Sequence, residues 1–140
     1  MAPLTYRSFL PEDWPQVRDF LLREAEAPSQ YATDVLARER IVAWLAHDGE
    51  DIVGWILTHP FRADDDVERG GIDDVVVAAT HRRRGIGRRL MGLAEAHYRQ
   101  SRAGGMQLTV RADNDAALPL YESMGYAVVQ RRLRMWKEFT

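Results

Sequence analysis

Residues 80–90 read THRRRGIGRRL, with five arginines, a histidine and two glycines in eleven positions. Such a run could grip the phosphates of a nucleic acid or those of a small cofactor, and its surroundings bear on the choice. IDDVVV (72–77) before it reads as a strand, and residues from about Gly87 to Arg102 after it read as a helix. At a helix N-terminus several backbone N–H groups lack intrahelical partners and the positive end of the dipole stands behind them, so an anion is stabilised there. Gly85 and Gly87 let the backbone approach a phosphate without a Cβ in the way. Arg88 and Arg89 would fall in the first turn, where a cation opposes the dipole unless a polyanion sits beside it.

The rest of the cluster narrows the ligand by exclusion. No Gly-Lys-Ser/Thr follows, which removes a Walker-type loop, and the third glycine of a dinucleotide fingerprint is missing. No aromatic or amide base readers stand among the arginines, as a nucleic-acid surface would need. An unidentified phosphate ligand remains.

The elements that must position this loop fit one domain spanning residues 1–140. The apolar fraction is 46% and the net charge −2, which argues against a dedicated DNA binder. Residues 1–80 carry 7 basic against 16 acidic side chains, and residues 81–140 carry 12 against 5, so one basic and one acidic site are expected on the same fold. There is no cysteine, which removes disulfides, thiolate metal sites and a cysteine nucleophile, and the four histidines show no zinc spacing, so no metal is expected. No apolar run approaches the roughly 20 residues of a membrane span, and MAPLTYRSFL lacks the basic start and apolar stretch of a signal peptide. The expectation is a cytoplasmic protein without membrane or nucleic-acid partners.

Periodicity predicts strands over 4–9, 40–46, 51–61, 72–77 and 106–110, with Asp48–Gly49 making a tight hairpin turn. It predicts helices over 13–27, with Asp13 as N-cap, over Thr33–Arg38, over 87–102 with Gly104 as its stop, and over 115–124 with Gly125 beyond. Residues 126–139 read as one long strand or two, with Met135 and Trp136 offered as a homodimer edge. The order implies an α/β fold, a mixed sheet of six or seven strands with helices on both faces.

VVVAATHRRRGIGRRLM resembles the acetyl-CoA-binding segment of the GNAT N-acetyltransferase superfamily, whose signature is Q/R-x-x-G-x-G/A after the fourth strand. Arg82, Gly85 and Gly87 fill its defined positions, whereas Arg83 stands where the family often has glycine. NDAALPLYESMGY (114–126) resembles the later motif N-x-x-A-x-x-L-Y-x-x-x-G-F/Y through Asn114, Ala117, Leu120, Tyr121, Gly125 and Tyr126. The opening YRSFLPEDW and the hairpin strand DIVGWIL are also similar to family members, so the resemblance spans nearly the whole chain.

The resemblance implies a sheet splayed between its fourth and fifth strands, with acetyl-CoA as cosubstrate. Backbone amides across Arg83, Arg84, Gly85, Ile86, Gly87 and Arg88 would hold the pyrophosphate, and Arg88 and Arg89 would reach the 3′-phosphate. Arg82 would brace the loop, the main chain of Val75, Val76 and Val77 would pair with the pantetheine amides, and Asn114 would hydrogen-bond the cofactor. Tyr121 would protonate the departing thiolate, since a phenol of pKa near about 10 keeps its proton at neutral pH. Asp73 aligns with the frequent family glutamate and would deprotonate the acceptor through a water. Strand alternation lets at most one of Asp73 and Asp74 face the substrate. Pro119 would bend the helix that carries Tyr121.

The implied activity is transfer of an acetyl group to a primary amine by direct attack in a ternary complex. The acidic stretch Asp64–Asp65–Asp66–Glu68 and the pair Glu24 and Glu26 favour a small cationic acceptor. A protein or peptide N-terminus or a lysine is the alternative acceptor, and a non-catalytic CoA-binding regulatory module is the alternative from another class.

Overall fold

The computed structural model describes residues 3–25 and 40–140, and in it the chain divides into two compact units, Met1–Thr109 and Val110–Thr140. The helix expected over Thr33–Arg38, like Glu26, lies outside the described residues.

The first unit is organised by a hairpin. Strand β2 (Val42–Asp48) pairs antiparallel with β3 (Asp51–Arg62), and Asp48 faces Asp51 across a two-residue turn. Gly49 in that turn has φ +62, a left-handed conformation that glycine adopts at little cost. Strand β1 (Thr5–Ser8) adds antiparallel to β2, and β4 (Glu68–Val77) adds antiparallel to β3. The short β5 (Met106–Leu108) lies parallel to β4, giving the order β1-β2-β3-β4-β5. Among the described residues the sheet is mixed, as expected, but has five strands instead of six or seven.

Continuous burial from Ile52 to Thr58 means that both faces of β3 are covered. On one face lies α2 (Ile86–Gln100), which buries Ile86, Leu90, Met91, Ala94 and Tyr98. His97 of the same helix is exposed and edges the Trp44 and Tyr98 rings. A Cβ on Gly54 would come within 2.7 Å of Ile86 and 3.1 Å of Leu90, so glycine there lets the helix start settle on the sheet. Further along, the Tyr98 hydroxyl donates to Thr58 Oγ1 (2.9 Å), which itself donates to the Val42 carbonyl (2.7 Å). That chain satisfies two buried hydroxyls without water. On the other face α1 (Trp14–Glu24) buries Val17, Phe20 and Leu21, and Phe9 edges Trp55. Trp44 and Trp55 pack as expected for strand positions.

Two local expectations change. Asp13 stands at the N-cap of α1 without capping it; its carboxylate takes both Arg7 guanidinium nitrogens (2.7 and 2.8 Å) and the Leu10 amide. The arginine fork and the backward amide together satisfy the carboxylate better than one helix N–H would, and hold its pKa below the usual range. Helix α2 stops before Gly104, because Arg102 takes the left-handed position (φ +65) and the Ala103 amide reaches back to the Tyr98 carbonyl.

In the second unit, α3 (Leu118–Ser123) begins three residues later than expected. Pro119 therefore falls in the first turn, where its missing N–H costs no helical hydrogen bond and no bend is required. Gly125, at φ +94, ends the helix, and the Tyr126 amide closes on the Tyr121 carbonyl. Residues 126–140 form no strand, and Val129, Leu133, Met135, Trp136 and Phe139 are exposed. Alternating apolar residues make a strand only where a ladder accepts their backbone groups, and this stretch has no ladder.

Candidate active site

The run from Asp73 to Arg89 passes without interruption from β4 through the arginine–glycine loop into α2. Its first part is an open edge. Parallel pairing with β5 covers only Gly70, Gly71 and Ile72, while β4 continues to Val77 with β3 on its other side. Beyond Ile72 the pairing of β4 with β5 stops, among the described residues. The main chain of Val75, Val76 and Val77 is paired to Ile56, Trp55 and Gly54 on one side, leaving the side toward β5 without a ladder. Backbone amides at such an edge can pair with the amides of an extended ligand.

The loop follows as a 3-10 turn, Ala79–His81, and then a curved stretch. Arg83 has φ +63 and Gly85 φ +77, so two left-handed residues bend the chain around a hollow. The left-handed arginine occupies the position where relatives often carry glycine, which gives that preference its steric reason. Gly85 is the N-cap of α2 and has no side chain to occupy the helix start, so the amides of Ile86, Gly87 and Arg88 open the helix with no side-chain cap. Arg82, Arg83, Arg84, Arg88 and Arg89 are all exposed, and Arg89 lies over the Tyr6 ring of β1 at 5.6 Å.

Bracing of this loop falls to residues for which the sequence implied no such role. His81 has its Nε2 2.8 Å from Asp48 Oδ2 and its Nδ1 2.7 Å from the Thr80 hydroxyl. A carboxylate can only accept, so Nε2–H donates to Asp48 and Nδ1 takes the Thr80 proton. Glu24, at the end of α1, accepts the Ala79 amide (3.0 Å). Arg82, expected to be the brace, makes no hydrogen bond or ion pair among the described residues.

Asp73 and Asp74 sit at a β-bulge. Leu57 opposes Asp74 and Thr58 opposes Ile72, which leaves Asp73 as the extra residue. The bulge suspends strict alternation: Asp73 reaches the His59 ring, and Asp74 lies opposite Leu57. Side-chain directions at the two carboxylates therefore do not follow simple alternation. Burial pushes the Asp74 carboxyl up to about 6, with the Asp73 charge adding to the rise and the Val75 amide opposing it.

A carboxyl raised from 3.8 to about 6 on folding favours the protonated form, so Asp74 weakens the fold as pH climbs through that window. Asp74→Asn is therefore expected to raise Tm at pH 7.5, through a stability gain of up to about 3 kcal/mol, and to leave it nearly unchanged at pH 4. Thermal melts of both proteins at the two pH values test this; an equal shift at both would show that Asp74 is not strained by its charge.

A cleft of about 490 Å³ opens where β4 and β5 part, lined by His59, Phe61, Gly71, Ile72, Asp73, Gln107, Leu108 and Thr109. Asp73 thus lines the cleft while Asp74 does not. His59 donates from Nδ1 to Asp73 Oδ2 at 2.7 Å, a contact between residues fourteen apart that no local pattern announces. The acidic loop, by contrast, is largely neutralised within itself. Arg69 holds Asp65 through both nitrogens (3.0 and 2.8 Å), and Arg62 and Arg40 approach Asp66 and Glu68. Its use as a lure for cations is correspondingly reduced. Among the described residues no group of three or more His, Asp or Glu side chains could hold a metal ion, and no helix is long and apolar enough to cross a membrane.

Tyr121 and Asn114 belong to the second unit. Tyr121 lies in α3 with its ring edge to Tyr126 (6.3 Å between centroids). Asn114 precedes the helix, and its Oδ1 accepts the Ala117 amide (3.2 Å), so it serves as a turn cap and does not share a helical face with Tyr121.

Known proteins are similar to this chain in sequence or in fold. The chain is 32% identical over 125 residues to mycothiol acetyltransferase of Corynebacterium efficiens, covering 88% of this chain and 38% of that protein's length. The fold matches ribosomal-protein-alanine N-acetyltransferase from Brucella melitensis biovar Abortus 2308 with a TM-score of 0.80 at 18% identity, over 96% of this chain and all of the other. It also matches AAC(6')-Iy in complex with a CoA bisubstrate analogue, with a TM-score of 0.80 at 12% identity, over 99% of this chain and 100% of that one. The acetyltransferase (GNAT) family model covers residues 5–126, from β1 through the open edge and the arginine–glycine loop to Tyr126, and the chain belongs to that family.

Proposed function

We propose that this protein moves an acetyl group from acetyl-CoA to a primary amine by direct attack in a ternary complex. The observation that carries the reading is the continuity of an unladdered β4 edge with an uncapped α2 N-terminus entered through a left-handed Gly85. An extended thiol arm can pair along Val75–Val77 while its pyrophosphate meets the amides of Arg83–Arg88. Arg88 and Arg89 supply charge for the 3′-phosphate, and Asn114 gives a further hydrogen bond to the cofactor. The cleft that opens beside Asp73 receives the amine. A small cationic acceptor is favoured by the Asp73 carboxylate that lines this cleft. Asp73 takes part in removing the ammonium proton, and Tyr121 gives a proton to the departing sulfur. The expected setting is the cytoplasm, and homodimerisation through Met135 and Trp136 belongs to the same reading.

The test is a thermal-shift series with acetyl-CoA, CoA, ATP and a short DNA duplex. A ligand at about 100 times its Kd should stabilise the fold by roughly 2.7 kcal/mol, several degrees at this size. Shifts with the two CoA species alone are expected, followed by thiol release from acetyl-CoA in the presence of kanamycin, spermidine or an alanine-terminated peptide. Stabilisation by DNA without any from CoA would overturn the reading.

A further inference from the structure

Among the described residues, three histidines have defined surroundings that invite a role, and only one of them is both held and available. Both nitrogens of His81 are engaged in bracing the loop. His47 is buried in β2, and burial pushes its pKa down, with no hydrogen-bond partner on Nε2. His59 is half-buried, has Nδ1 fixed on Asp73, and leaves Nε2 without a hydrogen bond among the described residues while lining the cleft.

The ring reaches Asp73 because of Gly71, its cross-strand partner. A Cβ there would stand 2.9 Å from the ring carbon Cε1 and 3.3 Å from Nε2. The bulge at Asp73 then turns the carboxylate to meet the ring. Free neutral imidazole favours no such arrangement by itself; a carboxylate on Nδ1 sets the proton there and directs the Nε2 lone pair outward.

We propose that His59 is the proton acceptor for the incoming amine, through Nε2, and that Asp73 is a positioning residue which holds its tautomer. The proposal rests on the acetyltransferase reading and replaces the water through which Asp73 would otherwise act. Nε2 presents its lone pair to the incoming ammonium, and the carboxylate behind Nδ1 stabilises the imidazolium that forms. The charged group in contact with it is Asp73 on β4, with Asp74 the next residue of that strand and the Phe61 ring of β3 at 5.9 Å between centroids. Strand β5 brings only Gln107, Leu108 and Thr109 to the cleft.

The step balances as follows. The ammonium gives one proton to Nε2, and the freed nitrogen lone pair forms the C–N bond at the thioester carbonyl. The C–S bond breaks with its electrons on sulfur, which takes the Tyr121 proton, and the surplus proton on the new amide nitrogen returns to the phenolate. His59 then releases its proton to solvent, one per turnover.

The experiment combines nitrogen-15 NMR of histidine-labelled protein with thiol-release kinetics on kanamycin and spermidine from pH 6 to 9.5. Neutral His59 is expected to carry its proton on Nδ1, and Asp73→Asn or Gly71→Ala to move it to Nε2. His59→Gln is expected to lower kcat/KM about 100-fold at pH 7 and much less at pH 9.5, where more free amine is present, with the acetyl-CoA thermal shift retained. An Nε2–H tautomer in the wild type overturns the proposal whatever the turnover. So does an unimpaired His59→Gln variant, or a loss that is equal at every pH. A wild-type protein that acetyl-CoA does not shift overturns the acetyltransferase reading itself.

Discussion

Tyr121→Phe is expected to lower kcat by about 100-fold or more while changing the affinity for acetyl-CoA by no more than about twofold. The departing sulfur is a thiolate of an ordinary thiol, with a pKa near 8.5, and it leaves poorly unless a proton arrives as the C–S bond opens. A phenol holds its proton at neutral pH and can supply it, and phenylalanine cannot. The substitution is local. The Tyr121 backbone is held by the Ala117 carbonyl on one side and the Tyr126 amide on the other, neither involving the hydroxyl. The ring keeps its edge contact with Tyr126. Tm should therefore move by less than the several degrees produced by cofactor binding. Steady-state kinetics with acetyl-CoA varied, together with thermal shifts of both proteins, separate the two effects. An unchanged kcat would remove Tyr121 from the mechanism, and a lost thermal shift would place it in cofactor binding instead.

Gly54→Val should damage both stability and cofactor binding, by a different route. Its Cβ would press 2.7 Å from Ile86 Cγ2 and 3.1 Å from Ala46 and Leu90, all within a closed layer where Ile86 and Leu90 are essentially inaccessible. Overpacking of this kind costs about 1–3 kcal/mol, because neither β3 nor α2 can yield without disturbing its neighbours. Ile86 is also the first residue of α2, so displacing it moves the amides that would face a pyrophosphate. A fall in Tm of several degrees and a weaker acetyl-CoA shift are expected together. Gly85→Ala offers the contrast. A Cβ at Gly85 meets nothing within 4 Å, and the cost is confined to its left-handed φ, about 1–2 kcal/mol. That variant should weaken acetyl-CoA binding with a smaller loss of Tm than Gly54→Val. Equal stability losses in the two would mean that the loop and the α2 packing layer are not separable.

The parts of this protein that the sequence by itself determined are those set within a few residues. The Asp48–Gly49 turn, the strand–loop–helix passage through Gly85, and the left-handed stop at Gly125 each follow from a glycine whose conformation other residues reach only at a cost. The family motifs lie on these same local structures, so the arginine–glycine loop and Tyr121 are legible in the sequence. Left-handed positions held by arginine, at Arg83 and Arg102, leave no such mark.

Only the tertiary structure decided what depends on register between distant strands. The bulge at Asp73 arises from the pairing of β3 with β4, and it alone brings His59 to Asp73. The pairing of His81 with Asp48 ties the arginine–glycine loop to the β2–β3 turn, thirty-three residues away. The alternation of residues 126–139 did not yield a strand. The physical reason is common to all three: a residue's own preferences bias its dihedral angles, but a hydrogen-bonded ladder or an ion pair needs a second segment. Where that segment falls is fixed by the packing of the whole sheet against its helices.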